Sequence, residues 1–341
     1  MTVSALYQYR QIKTNYQDNV AGLHPMSASP MLHARLGGNE GKIMTAIQAN
    51  GITIEYETRG AASDPALILV RGLGTQLINW PENLLQRLAA MAFYVVVFDN
   101  RDVGLSTKFD GAGVPDIKAL LATARAGEDF AVAYTLDDMA NDVVGLMDAL
   151  NIETAHVAGI SMGGAIVQVL AAKHGGRLRS MASIMAQSGN PDTPTGTAAA
   201  MSALMREGAD ENTRDGAIKA NIATARILAS PNYPTTEADR RAMAERSYDR
   251  CNCPDGRIRQ RAAIIKSGNR VPLLQTITTP TQVIHGIDDP LLNIAGGQDT
   301  ADNIQGADFH AIAGMGHETP AALSPVLADL IGCFARRVDG G

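Results

Sequence analysis

The segment Ala155-His156-Val157-Ala158-Gly159-Ile160-Ser161-Met162-Gly163-Gly164 carries the most specific chemical signal in the chain. Gly159, Ser161 and Gly163 satisfy G-x-S-x-G, and the pattern falls where an apolar strand runs out and a helix begins. A serine on so tight a turn is forced into strained backbone geometry, so the residues two positions to either side must be nearly free of side chain. Glycines at 159 and 163 meet that need and lift Ser161 clear of the strand, as a nucleophile for acyl transfer requires. A helix starting directly behind it aims backbone N–H groups at the reacting centre, making the Met162 N–H a donor for a developing oxyanion. The bland alternative is a glycine turn with no chemical task; the flanking strand and helix count against it.

The elements that must position this turn follow from apolar periodicity. Ile52, Ile54 and Tyr56 alternate with polar residues as at a half-buried edge, whereas Ala66 to Val70 is a continuous apolar run, as in a central strand. Pro81 opens a helix with Leu84, Leu85, Leu88 and Met91 on one face, and Tyr94 to Phe98 supplies the next strand. Thr135 and Asp138 resemble a capping box ahead of Leu136, Met139, Val143, Met147 and Leu150. Strand Ala155 to Ile160, a helix from Met162 to Lys173 and strand Met181 to Met185 continue the alternation. Between Ser188 and Thr278 a Pro/Gly/Thr-rich entry leads into polar, charge-rich helical segments with no buried strand, read as an inserted cap. Met201, Leu204 and Met205 recur there at helical spacing, and Ile218, Ile222 and Ile227 less regularly. Thr281 to His285 and Asp308 to Ile312 are the last strands, and Thr319 to Arg337 the terminal helix. Repeated strand-helix units of this kind specify an α/β fold with a mostly parallel sheet, helices on both faces and a helical cap. The expected organisation is a core of residues 44–187 and 279–341, a cap of 188–278 and an N-terminal arm or tail of 1–43. The arm lacks sustained periodicity and contains Pro25, Pro30, Gly37 and Gly38, while Met26, Met31 and Met44 leave the working start open.

From Ala46 to Arg337 the chain resembles the α/β-hydrolase superfamily, in particular the branch of esterases, cofactor-free haloperoxidases and anthracycline methylesterases. The segments carrying the resemblance are Arg71-Gly72-Leu73-Gly74, Phe98-Asp99-Asn100-Arg101-Asp102-Val103-Gly104-Leu105-Ser106, Gly159 to Gly163, Gly286 to Pro290 and Gly314 to His317. The resemblance implies the α/β-hydrolase fold and a second oxyanion donor, the backbone N–H of Leu73, on the loop after the third strand. This chain departs from the usual His-Gly dipeptide by carrying Arg71, which changes the local charge. The segment Asp99 to Ser106 is read as turn chemistry with no catalytic role.

A serine hydroxyl is a poor nucleophile at neutral pH and needs a base oriented by a third group. The α/β-hydrolase order places the acid and then the histidine after the serine, each on a loop following a late strand. His317 follows the last strand through Ala313-Gly314-Met315-Gly316 and is the candidate base. His285 and His310 fall within strands, His156 and His174 in a strand and at a helix end, and His24 and His33 in the arm; these read as structural. In Gly286-Ile287-Asp288-Asp289-Pro290, Asp289 is the favoured acid and Asp288 the alternative, the other serving to cap the loop.

The function these residues imply is hydrolysis of a small-molecule carboxylic ester through an acyl-enzyme, with no cofactor or metal. Lactonase, thioesterase, acyltransferase and perhydrolase or haloperoxidase chemistry would use the same residues, and a ligand-binding member of the fold without turnover is the alternative from another class. Serine at the turn argues against the aspartate-nucleophile dehalogenases and epoxide hydrolases of this fold. Composition narrows the rest: a net charge of -6 and no Lys/Arg run leave no footprint for nucleic acid. Three cysteines, two of them in Cys251-Asn252-Cys253, match neither a disulfide framework nor a metal site and read as reduced thiols. With no apolar membrane span or leader pattern, a cytoplasmic protein that does not engage membranes is the expectation; the sequence does not set an oligomeric state.

Overall fold

The computed structural model describes residues 44–205 and 213–340; the expected arm of residues 1–43 lies outside the described residues, as do 206–212 within the expected cap. Eight strands form one sheet: β1 Met44–Ala49, β2 Ile52–Arg59, β3 Ala66–Val70, β4 Tyr94–Phe98, β5 Ala155–Ile160, β6 Leu178–Ile184, β7 Thr281–Gly286 and β8 Asp308–Ile312. Their order is β1-β2-β4-β3-β5-β6-β7-β8. The β1/β2 and β2/β4 pairs are antiparallel and all later pairs parallel. The β1–β2 hairpin turns on Asn50 and Gly51, both with positive φ (48° and 74°), the left-handed pair that two-residue hairpin loops favour.

Four helices accompany the first strands: α1 Glu82–Ala90, α2 Ile117–Arg125, α3 Leu136–Ala149 and α4 Met162–His174. Among the described residues five more lie between β6 and β7: α5 Ala198–Met205, α6 Arg214–Ile227, α7 Glu237–Arg250, α8 Pro254–Ser267 and α9 Val271–Leu274. Helix α10, Ile294–Asp302, joins β7 to β8, and α11, Ser324–Asp339, closes the described chain. The continuous apolar runs are explained by burial on both faces. Within β3, Ala66, Ile68 and Val70 pack into a core with Leu136, Met139 and Val143 of α3 and Ile166 and Leu170 of α4. Leu67 and Leu69, pointing the other way, join Leu84 and Leu88 of α1 and Leu327 and Ile331 of α11. Each of these side chains larger than alanine contributes about 1.5–3 kcal/mol on burial. Helix α3 begins with the Thr135/Asp138 capping box, each side chain accepting from the other's backbone N–H.

Two boundaries differ from the periodicity. Strand β6 starts three residues earlier than expected, because Leu178 and Ser180 pair with Ala155 and His156 even though Arg179 and Ser180 break the apolar run. Met185, expected in that strand, has φ 41° and turns the chain out of the sheet. The terminal helix begins at Ser324 rather than Thr319, after extended Pro320 and a single tight turn at Ala321–Leu323. A residue preceding proline is disfavoured in helical geometry, which holds Thr319 out of the helix.

The topology also fixes where a site can form. From β3 the chain crosses to β4 on one side and then returns to β5 on the other, so β3 and β5 are neighbours at the point where the order reverses. Crevices at the carboxyl ends of strands form at such a switch point. Val70 and Gly159 are register partners there, bringing the loop after β3 beside the turn after β5.

Candidate active site

Ser161 leaves β5 with φ 54° and ψ −119°, a left-handed conformation that costs a non-glycine residue about 1–3 kcal/mol. Neighbouring backbone over-determines it. The Ser161 N–H donates to the Ile184 carbonyl at 2.9 Å. A Cβ on Gly159 would stand 2.1 Å from the Gly163 carbonyl oxygen, and one on Gly163 would stand 2.2 Å from the Val70 oxygen. Both positions therefore exclude any side chain, as the local sterics of the turn demand. Behind the serine, α4 is buried continuously from Met162 to Ala171, which fixes its N-terminus in the core.

Loops after β7 and β8 complete the cluster. His317 Nε2 lies 2.9 Å from Ser161 Oγ. Its Nδ1 lies 2.7 Å from Asp289 Oδ2. The other carboxylate oxygen, Oδ1, accepts from the Leu291 and Leu292 N–H groups at 2.8 and 2.9 Å, which fixes the carboxylate's orientation. Asp288 instead accepts the Gly314 N–H at 2.7 Å and ties the β7 loop to the β8 loop. Burial alone would raise the Asp289 carboxyl, but the His317 charge, hydrogen bonds from His285 and His317 and the Leu292 N–H hold it well below the usual carboxylate range. Asp289 is thus an anion opposite the histidine, suited to holding the imidazole with Nε2 toward Ser161.

The loop after β3 runs alongside the serine: a Cβ on Gly72 would stand 3.2 Å from Ser161 Cβ. Leu73 is the next residue along, and Met162 follows the serine directly. Among the described residues neither the Leu73 nor the Met162 N–H is engaged in a hydrogen bond. Asp99, in the segment read as turn chemistry, accepts from the Leu77 and Leu105 N–H groups at 2.7 and 2.8 Å and from Arg250 at 2.7 Å. It braces the far end of this loop and lies outside the Ser161–His317–Asp289 line.

A model of the alpha/beta hydrolase fold matches residues 65–320. The chain belongs to the alpha/beta hydrolase family. It is 25% identical over 307 residues to rhodomycin D methylesterase of Streptomyces sp. (strain C5), covering 85% of this chain and 97% of that protein. To 3-oxoadipate enol-lactonase 2 of Acinetobacter baylyi it is 28% identical over 262 residues, covering 76% of this chain and 84% of the lactonase. Among solved structures, an esterase from Rhodococcus sp. is similar in fold with a TM-score of 0.67 at 20% identity, over 87% of this chain and 100% of that one.

This alpha/beta hydrolase surrounds the cluster with residues that sequence reasoning did not single out. His285, read as a core residue, sits with Nε2 2.9 Å from the Leu292 carbonyl and 3.5 Å from Asp289 Oδ2. Its spacing of four from Asp289 was the available signal, but strand burial explained it equally well. The helices inserted between β6 and β7 hold two of the loops by polar contacts. Fully buried Gln260 of α8 accepts the Gly74 N–H at 2.8 Å and donates to the Arg101 carbonyl at 2.8 Å. Gln76 donates to the Ser247 and Cys251 carbonyls at 2.7 and 2.8 Å, at the end of α7. The His317 N–H donates to the Leu228 carbonyl at 2.9 Å, and the Gly316 N–H to Ser230 Oγ at 3.0 Å. Glu318 accepts from the Ser230 N–H at 2.8 Å and from Arg240 at 3.4 Å; burial nonetheless raises its carboxyl above the usual range.

Proposed function

We propose that this chain hydrolyses carboxylic esters through an acyl-enzyme formed on Ser161. The observation that carries the reading is the unbroken hydrogen-bonded line from Ser161 Oγ through His317 to Asp289, at 2.9 and 2.7 Å. Ser161 Oγ attacks the acyl carbon while its proton passes to His317 Nε2. The carbonyl electrons move onto oxygen, where the Leu73 and Met162 N–H groups receive the charge. Collapse of this intermediate expels the alcohol, which takes the proton from His317 and leaves the acyl group on Ser161. A water molecule then attacks the acyl carbon, gives a proton to the same nitrogen and releases the acid with Ser161 restored. Asp289 stabilises the imidazolium and selects its tautomer throughout.

The two sequence relatives support the ester bond as the target: one is a methylesterase and the other an enol-lactonase, and both names denote cleavage of a carboxylic ester linkage. The inserted helices act as a cap over Ser161, a role supported by their hold on Gly74 and on His317. The test is multiple-turnover hydrolysis of a nitrophenyl ester, with Ser161→Ala reducing turnover on the order of 10³-fold or more while the protein stays folded. A serine-directed organophosphorus reagent should label Ser161 alone. Activity lost on labelling another residue, or persisting in Ser161→Ala, overturns the reading. A panel of methyl esters and lactones then assigns the alcohol portion.

A further inference from the structure

Several buried arginines of this protein have strong acceptors. Arg101 grips Asp142 through two bonds at 2.7 and 2.6 Å, and Arg259 grips Asp102 through two at 2.8 Å. Arg270, with no carboxylate among the described residues, donates to Gln168 Oε1 at 3.1 Å and to the carbonyls of Gly268 and Gln187 at 3.3 and 2.5 Å. Arg71 is different. Its guanidinium makes two long bonds to neutral hydroxyls, Nε to Thr75 Oγ1 at 3.3 Å and Nη1 to Thr319 Oγ1 at 3.2 Å. It lies 4.8 Å over the Trp80 ring and has no carboxylate or carbonyl acceptor among the described residues. Burial lowers its pKa to about 9, which leaves it charged at neutral pH. An unpaired buried charge is expensive, and tight packing on Trp80 alone could be achieved by an apolar side chain.

Its position suggests what offsets that cost. Arg71 immediately precedes Gly72, the residue against Ser161, and its carbonyl is held by Asn100 Nδ2 at 3.0 Å. Its bond partner Thr319 lies two residues beyond His317, so one side chain spans the loop facing the serine and the loop carrying the histidine. In the ground state a neutral ester carries no negative charge on its carbonyl oxygen. A full negative charge develops on the substrate oxygen only in the tetrahedral step, and a preorganised cation then stabilises that state selectively.

We propose that Arg71 is a positioning residue whose uncompensated charge favours the anionic tetrahedral intermediate, acting from behind the Gly72–Leu73 loop while Thr319 ties it to the histidine loop. The inference rests on the Ser161 ester-hydrolase reading. Its test compares Arg71→Met, which keeps length and packing on Trp80 but removes the charge, with Arg71→Lys, which keeps the charge. On a neutral nitrophenyl ester, Arg71→Met should lower kcat about 10- to 100-fold with KM within about threefold of wild type. Arg71→Lys should recover most of that kcat. Phenylboronic acid, which forms an anionic tetrahedral adduct on an active serine, should bind Arg71→Met more weakly by a similar factor. If Arg71→Met does not fold, Arg71→Gln, neutral and still able to bond Thr75, carries the same comparison. A neutral variant with wild-type kcat, or a lysine variant as impaired as the neutral one, overturns the proposal. Organophosphorus labelling of Ser161 in the same preparations separates the two levels: a labelled Ser161 with no effect of charge sinks only the role of Arg71, whereas an unlabelled Ser161 sinks the hydrolase reading.

Discussion

The sheet core and the outer pair of helices inserted between β6 and β7, α6 and α7, are held by different forces. In the core, β5 and the first ten residues of α4 are buried without a break, and two large apolar clusters cover the two faces of the sheet. Of the inserted helices, α8 and α9 place Ala263 and Leu274 in that core, whereas α6 and α7 have a far smaller cluster of their own, Ile218, Ile222 and Ala244 with Tyr248 against them. The grip of the inserted helices on the site is polar: Gln260 on Gly74, the Ser247 and Cys251 carbonyls on Gln76, and the Leu228 carbonyl and Ser230 on the histidine loop. Apolar burial is non-directional and rewards bulk, so it builds a rigid platform. Hydrogen bonds are directional, and they set the aim of loops already standing on that platform.

The comparison can be broken most sharply inside the core. Asp289→Asn should lower turnover by as much as about 10⁴-fold, since an amide can neither stabilise the imidazolium nor enforce its tautomer. Asp288→Asn, which alters only the tie to the Gly314 N–H, should have a much smaller effect on steady-state kinetics. An equal loss in both variants would remove the distinction between orienting acid and loop cap. Next in size is Gly163→Ala, whose Cβ would meet the Val70 oxygen at 2.2 Å. Forcing it in should cost about 1–3 kcal/mol or more and be visible as a lowered denaturation midpoint together with lost activity.

The inserted helices should show the opposite signature. Gln260→Leu leaves the part-buried Gly74 N–H and the buried Arg101 carbonyl without partners, at about 1–3 kcal/mol for the buried carbonyl. The loop after β3 should loosen, and kcat should fall roughly tenfold or more while KM changes little. A change confined to stability would show that α8 supports the fold without aiming the loop.

A subtler effect follows from pH. The Asp289 carboxyl is held below its usual range in the folded protein, so its contribution to stability is complete above the unfolded value near pH 4 and is lost only as pH falls through the folded value. Urea midpoints of wild type and Asp289→Asn should therefore draw together as pH falls below about 4. A gap that widens below about pH 4 would reverse the assigned sign. The smallest expected effect is on selectivity: Leu204→Trp on α5 should shift the preferred acyl length and spare the shortest esters. An equal loss for every chain length in folded protein would place α5 away from the acyl group.

Much of this was legible in the amino-acid order, for local reasons. Ala66–Val70, Tyr94–Phe98 and Ala155–Ile160 are apolar throughout because both faces of each strand are covered, and the Thr135/Asp138 box marks its helix within four residues. The glycines around Ser161 are dictated by contacts of that turn with its own backbone and with β3. The Asn50-Gly51 hairpin is equally local, a two-residue turn set by its own left-handed backbone. Beyond this the chain order was silent. Asp288 and Asp289 are adjacent, and only the fold turns one to Gly314 and the other to His317. His285 could not be told from a core histidine, and Gln260 meets Gly74 across 186 residues. Arg71 announced an unusual charge, but that no carboxylate of the described residues comes to meet it emerges only when the loops after β3 and β8 are brought together. Backbone sterics and burial periodicity act over a few residues and are written in the sequence; the pairing of polar groups depends on which distant segments share an edge of the sheet, and tertiary structure alone decides that.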